Sequence, residues 1–233
     1  MMIKYPKTPR LKSVLEDDKL LKSWRKHHTV ISEKLDGANA GISFSPEGLL
    51  MLQSRGHVLT GGHRERQFEL FKQWGHGNLQ ALYGALGDRY VLFGEWLYAK
   101  HKIFYDALPG YFVEYDVYDK EKEHFMSTER RAQLIGQLGI PPAPILHQGT
   151  FGKINSFAKY IGDSAFKTVE WKRHLESLEG TDDSTLMEGI YIKVEDEEKV
   201  VGRIKFPRPE FEKIRDDNTD WLRRPIIKNL LQG

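Results

Sequence analysis

The residues that could do chemistry begin with one lysine. Lys34 follows the strand formers Thr29, Val30 and Ile31 and precedes Asp36-Gly37-Ala38-Asn39. The pattern is a strand, a lysine, an acid and a glycine where the backbone bends. An amine at its ordinary pKa of about 10.4 is a poor nucleophile. Desolvation and neighbouring cations lower that value until the amine attacks an electrophile. The competing reading is a surface lysine ahead of an Asp-Gly turn, and the rest of the chain decides between them.

Further candidates follow in order. Arg55 sits in Ser54-Arg55-Gly56-His57, just after an apparent hairpin, which would return it towards Lys34 as an anion ligand. Glu95 interrupts an apolar and aromatic run at residues 90–96, where an acid is costly to bury without a partner. Residues 111–119 read as a strand, and alternation puts Tyr111, Val113, Tyr115 and Val117 on one face. The other face then holds Phe112, Glu114, Asp116 and Tyr118. One of these aromatics could stack on a base or simply pack the sheet. Glu188 heads another apolar strand, and Arg203 and Lys205 share one face of the strand after it.

These residues need elements to hold them. Thr8 and Pro9 predict an N-cap and first helical position, followed by a helix carrying Leu11, Val14, Leu15, Leu21 and Trp24. His27 and His28 lack metal-ligand spacing and read as solvent-facing. Residues 40–44 and 49–53 flank the turn residues Ser45-Pro46-Glu47-Gly48. Phe68, Phe71 and Trp74 form a helical stripe broken at Gly75-His76-Gly77, and a second helix runs to Gly87. A helix from Ser127 or Thr128 reaches Leu138, ahead of Gly139 and Pro141. Residues 154–178 read as an amphipathic helix, and residues 187–206 as a hairpin around four acids. Pro207 and Pro209 stop its second strand. Residues 216–231 read as a docked terminal helix or as the basic edge of a nucleic-acid groove.

Composition narrows the setting. The 233 residues, 39% hydrophobic and 29% charged, describe a folded protein with ample core and one folded unit over residues 1–233. A net charge of +2 makes any nucleic-acid surface local. The absence of cysteine excludes thiolate catalysis and disulfides and fits a reducing compartment. No apolar run reaches the roughly 20 residues of a membrane span, so the expectation is a cytoplasmic enzyme or binding protein with no membrane partner.

The ordered set Lys-x-Asp-Gly, Ser-Arg-Gly, Phe-Gly-Glu, Tyr-Phe-x-x-Tyr-Asp, Glu-Gly-Ile and a late basic pair resembles the covalent nucleotidyltransferases. These comprise ATP-dependent RNA ligases, DNA ligases and capping enzymes. Glu33-Lys34…Gly37-Ala38-Asn39 is most similar to the RNA ligase 2 type, over roughly residues 30–211. The resemblance implies an α+β nucleotidyltransferase (adenylation) domain of antiparallel sheets flanked by helices. It implies that Lys34 attacks ATP and holds AMP, with Mg²⁺ or Mn²⁺ as the metal. Glu33, Asp36, Gly37, Asn39, Arg55, Glu95, Tyr115, Glu188, Arg203 and Lys205 would bind nucleotide. Among them, Arg55 would contact ribose or phosphate, Asn39 the reacting phosphates, Glu95 a ribose hydroxyl and Tyr115 the adenine. Glu188 would place the metal, while Arg203 and Lys205 would meet the phosphates.

The second and third steps implied are transfer of AMP to a 5′-phosphate and sealing by a 3′-hydroxyl, in RNA repair. Lys100, Lys102, Arg223, Arg224 and Lys228 are candidate contacts to RNA ends, in nicked duplex or DNA-containing strands. Two positions depart from the pattern. Arg203 stands where many relatives have lysine, and Asp36 follows the DNA ligase form. The chain is short for an appended OB or helical domain, which implies a partner protein for substrate grip. The alternatives are a DNA or mixed-strand nick ligase, GTP-dependent capping chemistry, and a non-catalytic nucleotide- or RNA-binding module.

Overall fold

The computed structural model describes residues 2–154, 156–215 and 225–233. Its strands are β1 (His28–Lys34), β2 (Ala38–Phe44), β3 (Leu50–Ser54), β4 (Tyr90–Trp96), β5 (Phe112–Asp119), β6 (His124–Phe125), β7 (Ile145–Thr150), β8 (Gly189–Glu195) and β9 (Val200–Pro207). The helices are α1 (Leu11–Leu15), α2 (Asp18–Trp24), α3 (Glu69–Gly77), α4 (Leu79–Leu86), α5 (Thr128–Ile135) and α6 (Pro209–Arg215). The strands form two antiparallel sheets, ordered β7-β1-β8-β9 and β3-β2-β4-β5-β6. The chain passes from the first to the second through Leu35-Asp36-Gly37, immediately after Lys34.

Alternation along the strands explains why a cleft lies between the sheets. Ile31, Ile190, Ile192, Val194 and Ile204 cluster with Leu11, Val14 and Trp24 of the N-terminal helices on the outer face of the first sheet. Ala40, Ile42, Phe44, Leu92, Trp96 and Val117 pack under α3, α4 and α5 on the outer face of the second. The intervening residues therefore point inward. Many of them are polar or charged: Ser32, Lys34, Asn39, Glu95, Tyr191, Lys193, Arg203 and Lys205. A third apolar cluster, including Leu35, Leu97, Tyr105, Val113 and Phe166, closes one end.

Several elements differ from the sequence expectation. Thr8 does not cap a helix; its hydroxyl shares a hydrogen bond with the Tyr191 hydroxyl (2.9 Å). The N-terminal stripe forms two helices, the second begun by Asp17, which accepts the Leu20 N–H (3.0 Å). The Phe68 stripe starts as a 3-10 turn and its α-helix runs through Gly75, which packs against Leu52. The break comes at Asn78. His28 is exposed as expected, whereas His27 is only partly so. The second sheet's hairpin turns at Gly48, whose φ of 79° suits glycine.

Residues 154–178 do not form the amphipathic helix. Their described part holds only short 3-10 turns, Ala158–Tyr160 and Trp171–His174. Tertiary bonds outweigh the helical pattern there: Glu33 captures Ser164 and Ala165, and Asp106 captures Thr168. At the C-terminus, Pro209 opens α6 in the position that tolerates its missing N–H. Trp221, Leu222 and the candidate contacts Arg223 and Arg224 lie outside the described residues. Residues 225–233 hold no helix, and Lys228 and Leu231 bridge to Ala99 and Leu108.

The face assignment along β5 also changes. The pairing with β4 runs Phe93↔Asp116 and then Gly94↔Glu114, so Tyr115 is an extra residue in a β-bulge. The bulge reverses the alternation. Val117 joins Phe112 under the helices, and Asp116 joins Tyr115 on the inner side.

Candidate active site

Lys34 is the last residue of β1, and its side chain keeps about a quarter of its exposure at the head of the inter-sheet cleft. The cleft has a volume of about 560 Å³, within the range of small-molecule sites. Lys34 Nζ donates to Glu188 Oε2 at 2.6 Å. Glu188 precedes β8, whose Gly189 pairs with Lys34 across the sheet, so the ladder register sets this contact. Burial draws the Lys34 pKa down, but Glu188, Glu95 and Asp36 outweigh it and hold the ammonium above its ordinary value. The expectation of cations around the lysine is met only partly: Arg55 and Lys205 line the cleft, but carboxylates are the nearer neighbours.

Gly37 places the turn. A Cβ there would lie 2.7 Å from both the Trp96 carbonyl oxygen and Leu97 Cδ2, so only glycine lets the turn approach β4. Its N–H donates to Glu95 Oε1 at 3.1 Å. Burial pushes the Glu95 carboxyl up to about 8, with Glu188 and Asp36 adding to it and Lys34 opposing. Asp36 lines the cleft while its Oδ2 accepts the N–H groups of Lys102 (2.7 Å) and Ile103 (2.8 Å). Its own N–H donates to the Tyr105 hydroxyl (2.8 Å). Glu33 accepts from the Ser164 hydroxyl (2.5 Å) and the Ala165 N–H (3.0 Å).

Asn39 faces the cleft from β2, and its Nδ2 donates to the Tyr115 hydroxyl. The bulge frees the Tyr115 carbonyl from the ladder, and Lys193 Nζ and Arg131 Nη1 both donate to it. The Tyr115 ring lies edge-on to Tyr5, 5.3 Å between centroids. Arg55 is exposed on the far wall and makes no hydrogen bond or ion pair with the described residues. Lys205 lines the cleft beside Thr8 and Tyr191.

Arg203 does not reach the cleft wall with Lys205. It lies over Phe125 (3.9 Å) and contacts Asp116 Oδ2 (3.2 Å). Asp116 also meets Lys193 Nζ (2.8 Å) and the Tyr5 hydroxyl (2.5 Å). Although burial opposes it, these cations hold Asp116 down to about 2. Tyr5, Thr8, Tyr191 and Lys193 are cleft or cleft-supporting residues that the sequence reading missed. The signal available for two of them was parity, since Tyr191 and Lys193 alternate with the buried Ile190 and Ile192.

Of the candidate nucleic-acid contacts, Lys100, Lys102 and Lys228 come together. Lys100 N–H donates to the Ile227 carbonyl (2.8 Å), and Lys228 Nζ stands 5.6 Å over the Tyr98 ring. Their loop also carries His101, which lines the cleft. Among the described residues, no three acidic, histidine or cysteine side chains converge as a ready-made cation cage. The donor set does fit Mg²⁺ or Mn²⁺ held in part by a ligand, because such ions take one or two carboxylates plus phosphate oxygens and water. Glu188, which lines the cleft, is the carboxylate that would supply that share.

The same architecture occurs in solved structures of Naegleria gruberi RNA ligase. A form with PPi matches at a TM-score of 0.60 and 18% identity, over 92% of this chain and 58% of that one. A mutant with ATP and Mn matches at 0.59 and 18%, with coverage of 92% and 58%. A mutant with AMP and Mn matches at 0.58 and 18%, with coverage of 91% and 58%. The chain thus spans under two thirds of the length of these structures. The fold is that of an RNA-ligase nucleotidyltransferase, two antiparallel sheets flanked by helices. A comparison with curated proteins finds no match. The family model for RNA ligase matches residues 27–206, and the chain belongs to that family.

Proposed function

We propose that this protein is an ATP-dependent RNA ligase that seals 5′-phosphate and 3′-hydroxyl ends through a Lys34–AMP intermediate. The observation that carries the reading is Lys34 at the head of a nucleotide-sized cleft, with Glu188, Glu95, Asn39, Tyr115, Arg55 and Lys205 in its walls. Lys34 Nζ attacks the α-phosphorus of ATP, the bond to pyrophosphate breaks, and AMP is held as a phosphoramidate. AMP then passes to a 5′-phosphate, and a 3′-hydroxyl displaces it to join the strands.

The chain's own groups divide this work. Lys34 must shed a proton before it attacks, and Glu188, 2.6 Å away, is the carboxylate in reach of that proton. Lys205 and Arg55 favour the charge developing on the phosphates. Tyr115 packs on adenine, and Glu95 takes a ribose hydroxyl. Glu188 would help to hold a divalent cation, which when bound would supply positive charge for the leaving pyrophosphate. Arg203 supports the Tyr115 wall indirectly, by pairing with the adjacent Asp116. Lys100, Lys102 and Lys228 contact the RNA, in a nucleotidyltransferase unit that works in the cytoplasm with a partner for substrate grip.

Mass spectrometry of the intact chain after incubation with Mg²⁺ and ATP, beside GTP and a Lys34→Ala variant, tests the reading. An AMP adduct with ATP alone, absent in the variant, is expected. No adduct after removal of any AMP already bound would leave a non-catalytic nucleotide- or RNA-binding module. Defined RNA, DNA and mixed nicks then separate an RNA ligase from a DNA or mixed-strand ligase.

A further inference from the structure

The C-terminal segment makes an unusually complete set of bonds to the loop beside the nucleophile. Asn229 has no exposed surface. Its Oδ1 accepts the Tyr105 N–H (2.9 Å), and its Nδ2 donates to the Leu97 carbonyl (2.7 Å). Its backbone N–H donates to the Tyr98 carbonyl (3.0 Å), and its carbonyl accepts from the Tyr111 hydroxyl (3.1 Å). Leu230 N–H donates to the Tyr105 carbonyl (2.9 Å), so Tyr105 is gripped on both backbone groups.

The other side of that loop holds the lysine turn. The Tyr105 hydroxyl accepts the Asp36 N–H, and the amides of Lys102 and Ile103 donate to the Asp36 carboxylate. Asp36 is two residues from Lys34, and Leu97 two from Glu95. One amide side chain, 124 residues from the Tyr105 it clamps, therefore spans the backbone on both sides of the loop that supports the nucleophile.

We propose that Asn229 is a positioning residue for Lys34, acting through Tyr105 and Asp36. The inference rests on the reading of Lys34 as the adenylylated residue. Asn229 leaves nucleotide contacts untouched, so its loss slows the attack of Nζ without weakening ATP binding. A misplacement of about 1 Å at the reacting atom lowers a rate by roughly 100-fold.

The test is single-turnover formation of the AMP adduct in the full chain, for Asn229→Ala, Asp36→Ala and the double variant. Asn229→Ala is expected to lower the rate at saturating ATP by roughly 10- to 100-fold, with the KM for ATP within about twofold of wild type. The double variant should be no slower than the slower single one, because both break the same chain of contacts. Multiplying losses, or a raised KM with an unchanged rate, would overturn the proposal. Should Asn229→Ala fail to fold, Tyr105→Phe keeps the ring and removes only the hydroxyl that holds Asp36. It should reproduce the rate loss, and a wild-type rate would overturn the proposal. If the wild-type chain forms no adduct, the functional reading has failed and amide exchange decides the clamp. Lost protection at Lys102 and Ile103 in Asn229→Ala supports it, and unchanged protection rejects it.

Discussion

Lys34 sits among carboxylates, and this sets the pH behaviour of the first step. Glu188, Glu95 and Asp36 hold its ammonium above the ordinary value, so the reactive amine is scarce near neutrality and adduct formation should accelerate steadily from pH 6 to 9. Glu95 adds a second dependence. Burial keeps it protonated up to about 8, and its ionised form makes the stronger hydrogen bond to a hydroxyl. The KM for ATP is therefore expected to fall several-fold as pH rises through about 8, with no such inflection in Glu95→Gln. A KM profile identical in both proteins would remove Glu95 from the ribose site. Tyr115 makes a separate prediction. Stacking needs the ring, so Tyr115→Ala should raise the KM for ATP far more than Tyr115→Phe, which loses only the acceptor for Asn39. Equal effects would reject the stacking role.

At the scale of elements, two irregularities place the site. The turn between β1 and β2 presses against β4 at Gly37, and the bulge in β5 turns Tyr115 and Asp116 inward together. Gly37→Ala forces a contact of 2.7 Å on the Trp96 carbonyl, which is backbone and cannot swing away. The expected result is a loss of more than about tenfold in adduct formation and roughly 1–3 kcal/mol of stability. Gly48→Asn, at the hairpin turn with its φ of 79°, provides the contrast. Asparagine tolerates that backbone region, so adduct formation should be unchanged. Single-turnover rates and urea unfolding of the two variants check both statements.

Across the whole molecule, the two sheets are joined at their inner faces by charge rather than by a continuous apolar core. Asp116 of one sheet meets Lys193 and Arg203 of the other, with Tyr5 from the N-terminal segment completing the set. Asp116→Asn leaves two buried cations without their counter-charge, which costs about 3–5 kcal/mol at neutral pH. Urea unfolding at pH 7 measures this. The native pKa of about 2 lies below the unfolded value. This contribution is therefore complete above about pH 4 and is lost as pH falls towards 2, by roughly 2 kcal/mol. The variant should lack that part of the acid limb.

Local chemistry determined much of this protein in advance. A lysine after a β-branched strand, a glycine where the chain must bend and an acid inside an apolar strand each carry their reason in neighbouring residues. The order of these motifs led to the nucleotidyltransferase fold. The hairpin at Gly48 and the stop at Pro207 and Pro209 were equally local. What only tertiary structure decided depends on partners far along the chain. Alternation could not reveal the bulge at Tyr115, because the bulge is held by Lys193 and Arg131. Helical periodicity over residues 154–178 gave way to hydrogen bonds that the segment's amides donate to Glu33 and Asp106. Arg203 looks like a phosphate ligand in the sequence, yet folding commits it to Asp116, outside the cleft lining. A side chain's type limits what it can bind; the groups that reach it first decide what it does bind.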